Sequence, residues 1–143
     1  MTNKTPLVAV IGGGSWATAL VKLFCNNSPK VAWWMRNEEA ITHLHNFKHN
    51  PHYLQDVEFD LTKLIVSSDL VSIIKQADII VIATPAAFLT DTFKDFPIEY
   101  FKDKIVFSAV KGIVPEFHAI PARFIHKTFG MGGRDPFRNC VNF

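Results

Sequence analysis

The chain has 143 residues, 48% hydrophobic and 20% charged, with a formal net charge of +2, the proportions of one globular domain with its own core. So small a charge argues against nucleic acid and against a membrane surface as partner, and no apolar run approaches the roughly 18 residues of a membrane-spanning helix. Cys25 and Cys140 show neither redox nor metal-ligand spacing, and the polar lead-in at residues 1–6 precedes no cleavage-site pattern, so the expected location is the cytoplasm.

Residues 7–11 form a short Val/Ile-rich run closed by glycine, the pattern of a strand buried on both faces of a parallel sheet. From 15 to 26, Trp16, Leu20, Leu23 and Phe24 recur at helical spacing until NNSPK stops the helix. KVAWWM (30–35) is a second strand, and residues 36–47 an amphipathic helix with Ile41, Leu44 and His45 or Phe47 on one face. Residues 48–62 lack a period and read as a connection. KLIVSSD is a short edge-like strand, LVSIIKQA a helix, and ADIIVIATP the strongest strand signal, stopped by Thr84-Pro85. Residues 86–96 resume a helical period, 103–113 give a strand running into a Lys-Gly turn, and 117–129 a last helix interrupted by Pro121.

This alternation predicts βαβ units: a Rossmann-like, doubly wound parallel sheet with helices on both faces. The predicted domain spans residues 1–130, and 131–143 reads as an atypical tail.

Gly12-Gly13-Gly14-Ser15-Trp16-Ala17 has the pattern G-x-G-x-x-A, which is weak alone and sharpened by its place between the first strand and the first helix. Gly12 permits the sharp turn, Gly14 lets a pyrophosphate approach the backbone, and Ala17 lets the helix pack closely on the strand. The helix N-terminus then offers free N–H groups and partial positive charge to phosphate. The plainer alternative is a turn that binds nothing.

At the exit of the second strand, an NAD-selective site places an acid on the ribose hydroxyls. Here Arg36-Asn37 stand there, and Glu38 and Glu39 come later. Arg36 can pair with a 2′-phosphate or stack on adenine, so the cofactor leans to NADPH or dual use of NAD(P)H. A solvated surface charge is the alternative. Lys111, before Gly112 at the end of a parallel strand, points toward the crevice where such sheets bind ligands, and suits a phosphate or developing alkoxide. Pro85 is a second crevice candidate, or simply a strand terminator.

AVIGGGSWATAL, VAWWMRN, ADIIVIATPAAFL and FSAVKGI, in this order, resemble the N-terminal half of NAD(P)-dependent glycerol-3-phosphate dehydrogenase over roughly residues 7 to 130. The resemblance implies hydride transfer between sn-glycerol 3-phosphate and dihydroxyacetone phosphate, an oxidoreductase step supplying glycerophospholipid synthesis. Carried over, Ser15 and Trp16 line the pyrophosphate and nicotinamide side, and Arg36 meets the adenosine end. Tyr53 is a weaker cofactor candidate, in a segment similar to the family's N-x-x-Y/F-L. Lys111 touches both cofactor side and phosphate substrate. The family's general acid/base lysine belongs to a C-terminal helical domain absent here, so no catalytic residue is assigned in this chain.

The chain therefore reads as truncated, expected to bind dinucleotide, to turn over poorly alone, and to self-associate through an exposed domain interface. A non-catalytic NAD(P)H-sensing module, or a hydroxy-acid dehydrogenase domain, is the alternative reading. His43, His45, His49 and His52 match no metal motif, and no metal is expected. Trp33-Trp34 reads as sheet packing, and Asp91 and Asp95 as one solvated helix face.

Overall fold

The structure, a computed structural model, describes residues 4–129 and 141–142. Residues 130–140, Cys140 among them, and Phe143 lie outside the described residues. Six strands, β1 (Val8–Ile11), β2 (Val31–Trp34), β3 (Leu64–Ser67), β4 (Ile79–Ile82), β5 (Ile105–Ser108) and β6 (Val141–Asn142), form one sheet in the order β3-β2-β1-β4-β5-β6. Every pairing is parallel. β1 lies at the centre, with Val8 opposite both Val31 and Ile79. Its four residues are all buried, which is why its sequence is continuously apolar and does not alternate.

Helices cover both faces. Ala17, Val21 and Cys25 of α1 (Ser15–Asn27), with Ala40 and Leu44 of α2 (Glu38–Phe47), pack on Val8, Val10, Val31 and Trp33. Ile73 and Ile74 of α3 (Leu70–Gln76), Leu89 of α4 (Leu89–Thr92), and Phe124 and Ile125 of α5 (Pro121–Phe129) pack on Ala9, Ile11, Ile80 and Ile82. Trp33 and Trp34 thus face opposite sides of the sheet, as packing residues.

Local chemistry sets the boundaries. Asn37 Oδ1 accepts from the N–H groups of Glu39 and Ala40 and starts α2; Asp69 starts α3 by accepting from the Ser72 N–H. Pro121 does not interrupt the last helix but opens it, because the first helical turn needs no N–H donor and proline's fixed φ suits it. The helical period of 86–96 resolves into a 3-10 turn (Ala86–Phe88), the single turn of α4, and a bend with Asp95 at φ 56°. Asp91 and Asp95 therefore share no helix face. In α2 the buried positions are Ala40 and Leu44, while His45 and Phe47 are exposed; Phe47 packs its ring on His43, with centroids 4.6 Å apart.

Candidate functional site

The strand order reverses between β1 and β4: the chain proceeds from β1 outward through β2 to β3, then returns to place β4 on β1's other side. Above the C-terminal ends of these two strands the flanking loops part and leave a crevice, the place where open parallel sheets bind ligands. Two adjoining pockets occupy it. One, of about 260 Å³, is lined by Gly12, Gly13, Gly14, Arg36, Asn37, Tyr53 and neighbours; the other, of about 380 Å³, by Trp16, Ala109, Val110 and Lys111 among others. Thr84 and Pro85 line both and form the partition.

The glycine turn separates into three tasks. Gly12 has φ +140°, and a Cβ built on it would lie 2.9 Å from the backbone of Ala83 on the neighbouring strand exit. Both facts demand glycine for folding alone. A Cβ on Gly13 would meet the Met35 side chain at 3.4 Å. A Cβ on Gly14 would meet nothing within 4 Å, and its φ is an ordinary −80°. Nothing in the fold requires glycine there, so its bareness matters only to something arriving from outside. Ala17 is completely buried between α1 and the sheet, as its small size allows.

The carbonyls of this turn are all held from behind. Ile11 O accepts from Thr84 Oγ1 at 3.1 Å, Gly12 O from Trp33 Nε1 at 2.7 Å, Gly13 O from Asn50 Nδ2 at 3.2 Å, and Gly14 O from Thr18 Oγ1 at 2.7 Å. The first-turn N–H groups of α1, at Ser15, Trp16 and Ala17, have no intrahelical acceptors. A bare glycine, free N–H groups and the positive end of a 13-residue helix make a cradle with the chemistry of a phosphate site. A dinucleotide's pyrophosphate fits this donor set.

Arg36 stands at the far end of the smaller pocket. Its guanidinium lies 5.9 Å from the Phe88 ring centroid, and Nη2 donates to Thr92 Oγ1 at 3.3 Å, spanning the pocket from the exit of β2 to α4. Asn37 lines the same pocket while its oxygen caps α2. Tyr53 is exposed and lines the same pocket. In the larger pocket, Trp16 presents a ring 52% exposed, and Lys111 stands at the mouth before Gly112, whose φ is +98°. Ser15 opens α1 and lines neither pocket. The two pocket cations thus stand in different pockets, which share the Thr84–Pro85 partition.

Sequence reasoning missed the support behind the cradle: Thr18, Trp33 as a donor, Asn50 and Thr84. Asn50 lies in the very N-x-x-Y stretch that drew attention to Tyr53, but nothing in its spacing says that it reaches back to residue 13. Among the described residues, no group of three or more His, Cys, Asp or Glu is placed to hold a metal ion. His43 and His49 instead pack edge to face with centroids 4.7 Å apart. Burial pushes up the Cys25 thiol and pushes down the Lys104 ammonium, both outside the crevice.

A parallel sheet in this order, with a glycine turn and helix N-terminus at its switch point, defines a dinucleotide-binding domain of the Rossmann type. The family model described as NAD-dependent glycerol-3-phosphate dehydrogenase N-terminus matches residues 7–133. The chain belongs to that family. It is 34% identical over 113 residues to a glycerol-3-phosphate dehydrogenase (NAD(P)+) from Ectopseudomonas mendocina, covering 79% of this chain and 32% of that protein. A glycerol-3-phosphate dehydrogenase (NAD(P)+) from Chlorobium chlorochromatii is 38% identical over 109 residues, 74% of this chain and 32% of that one. The chain spans about a third of the length of these curated relatives. The crystal structure of glycerol-3-phosphate dehydrogenase from Coxiella burnetii shares the fold, with a TM-score of 0.68 at 21% identity over 88% of this chain and 37% of that one. No helix among the described residues is long and apolar enough to cross a membrane.

Proposed function

We propose that this chain is the cofactor-binding half of an enzyme interconverting sn-glycerol 3-phosphate and dihydroxyacetone phosphate, in the supply of glycerophospholipid precursors. The observation that carries the reading is the open side of Gly14 beneath the N-terminus of α1: a glycine the fold does not need, beside donors the fold leaves unused. In this reading the pyrophosphate lies on Gly14 and the first-turn N–H groups, with Gly12 and Ala17 shaping the turn. Arg36, Asn37 and Tyr53 bound the adenosine end, Ser15 meets the pyrophosphate through its first-turn N–H, and Trp16, Pro85 and Lys111 bound the nicotinamide side. The nicotinamide ring supplies the hydride-carrying chemistry when bound.

Arg36 carries the leaning to NADPH, since a guanidinium on this wall can receive a 2′-phosphate through charge-assisted hydrogen bonds. Lys111 is the group proposed to meet the substrate's phosphate or developing alkoxide. By itself this segment is expected to bind the dinucleotide and turn over slowly, because loss of a positioned general acid typically costs about 10²–10⁴-fold. Ile113, Phe117 and Ile120, all exposed beyond β5, support self-association of the isolated segment, which sedimentation at rising concentration would reveal.

The test is calorimetric titration of the purified chain with NADH and NADPH. Binding of either at micromolar level, followed by glycerol 3-phosphate-dependent reduction of NAD(P)+ in a protein that includes the relatives' remaining length, supports the reading. A folded chain that binds neither nucleotide refutes it.

A further inference from the structure

Three successive glycines leave residues 12–14 without side chains to restrict them, and peptide units between glycines reorient at little steric cost. The orientation matters because each trans peptide unit points its C=O and N–H in opposite directions. A unit turned the wrong way would aim a carbonyl dipole at an anion in the crevice. The Gly12–Gly13 and Gly13–Gly14 units both lie between glycines; Trp33 holds the carbonyl of the first and Asn50 that of the second.

Asn50 is completely buried, and its hydrogen bonds admit only one orientation. Thr18 Oγ1 donates its single hydrogen to Gly14 O at 2.7 Å, so toward Asn50 it can only accept, which it does from Nδ2 at 3.0 Å. The second Nδ2 hydrogen goes to Gly13 O at 3.2 Å. Oδ1 is left to accept the His52 N–H at 2.9 Å, which fastens the loop bearing Tyr53. Both donors and the acceptor are used, and two consecutive carbonyls of the turn are drawn inward by one relay. An alanine cannot supply this, and an ionised aspartate has no hydrogen to give.

We propose that Asn50 is a positioning residue for dinucleotide binding: backed by Thr18, whose N–H and hydroxyl both hold Gly14 O, it locks the Gly13–Gly14 peptide unit with its N–H group toward the pyrophosphate, and it ties the wall carrying His52 and Tyr53 to the same turn. This rests on the dinucleotide reading above. It assigns the binding competence of a flexible glycine turn to a residue 37 positions away in sequence.

The test compares NADPH affinity in the wild-type chain, Asn50→Ala, Thr18→Val and Thr18→Ser, with thermal unfolding run on each. Asn50→Ala and Thr18→Val are expected to weaken NADPH roughly tenfold, the effect of losing one well-placed hydrogen-bonding element. Thr18→Ser, which keeps the hydroxyl relay, is expected to stay within about twofold of wild type on the same scale. Backbone amide resonances of Gly14 and Ser15 should move on NADPH addition in wild type and Thr18→Ser, and much less in Thr18→Val. If Asn50→Ala unfolds, the Thr18 pair carries the test alone. Folded Asn50→Ala or Thr18→Val that binds NADPH as tightly as wild type overturns the inference and leaves the proposed function standing. A folded wild-type chain that binds neither nucleotide overturns both.

Discussion

The two ends of the crevice both use glycine at a strand exit, yet they are built to opposite plans. At the β1 exit, four successive carbonyls from Ile11 to Gly14 each receive a side-chain hydrogen bond, and a Cβ on Gly12 would strike backbone. Beyond β5, Lys111, Gly112 and Ile113 are all exposed, and a Cβ on Gly112 would meet open space. The first end is finished by this domain's own residues, whereas the second offers an ammonium and apolar side chains outward. Preorganised donors hold a charged ligand without reorganising. An open end suits a group whose remaining contacts come from elsewhere.

The sharpest break in this contrast would come from Gly12→Ala. It faces both a 2.9 Å contact with immovable backbone and a positive φ. A loss of roughly 3–5 kcal/mol is expected, in the range of severe strain and overpacking, measured by denaturant unfolding. A loss under about 1 kcal/mol would mean the β1 exit is far less rigid than the contacts imply.

Gly14→Ala separates folding from binding. Thermal stability should hold within about 1 kcal/mol, since a Cβ meets nothing and the residue is only a helix N-cap. NADPH affinity should fall about a hundredfold as the methyl occupies the pyrophosphate's approach. Unchanged affinity in calorimetry would remove the phosphate from this position.

Arg36→Ala should weaken NADPH by about tenfold and NADH by less, the difference measuring the 2′-phosphate interaction. Equal losses would assign Arg36 to the adenine face that its stacking on Phe88 suggests. At the open end, Gly112→Ala carries strain without a clash. About 1–2 kcal/mol of stability should be lost, the usual cost of a left-handed residue with a side chain.

The smallest effect concerns pH. Hydrogen bonds from the Thr62 hydroxyl and N–H hold the fully exposed Asp60 carboxyl below its ordinary value of 3.8. A folded pKa below the unfolded one means that this contribution is present above pH 3.8 and is lost as pH falls through the folded value. Asp60→Asn should therefore flatten the acid limb of stability against pH, with its small loss appearing at neutral pH and vanishing at low pH, as denaturant unfolding across that range would read.

Much of the architecture was legible because buried parallel strands have to be continuously apolar. Residues 7–11, 31–34 and 79–82 could be read directly, and the short edge character of β3 with them. The helix predicted over 86–96 was not, because its apolar spacing reflects Leu89 and Phe93 packing on the sheet, while Asp95 turns the chain left-handed. Phe47 was misplaced on a buried face for a related reason: helical periodicity marks a face, not what covers it, and Phe47 stays exposed against the His43 ring.

The same division runs through the site. Gly12, Gly14, Arg36 and Lys111 could be placed at the crevice from sequence because each lies beside its own strand end, where position in a βα unit is set by local chain geometry. Trp33, Asn50 and Thr84 were not, because what they do depends on which strands become neighbours and how far a loop folds back. The sequence by itself determined the order of strands and helices, the place of the glycine turn, and the family. Only the tertiary structure decided which side chains hold that turn's carbonyls, since hydrogen bonds between residues 13 and 50, or 11 and 84, exist only after the sheet has closed the distance between them.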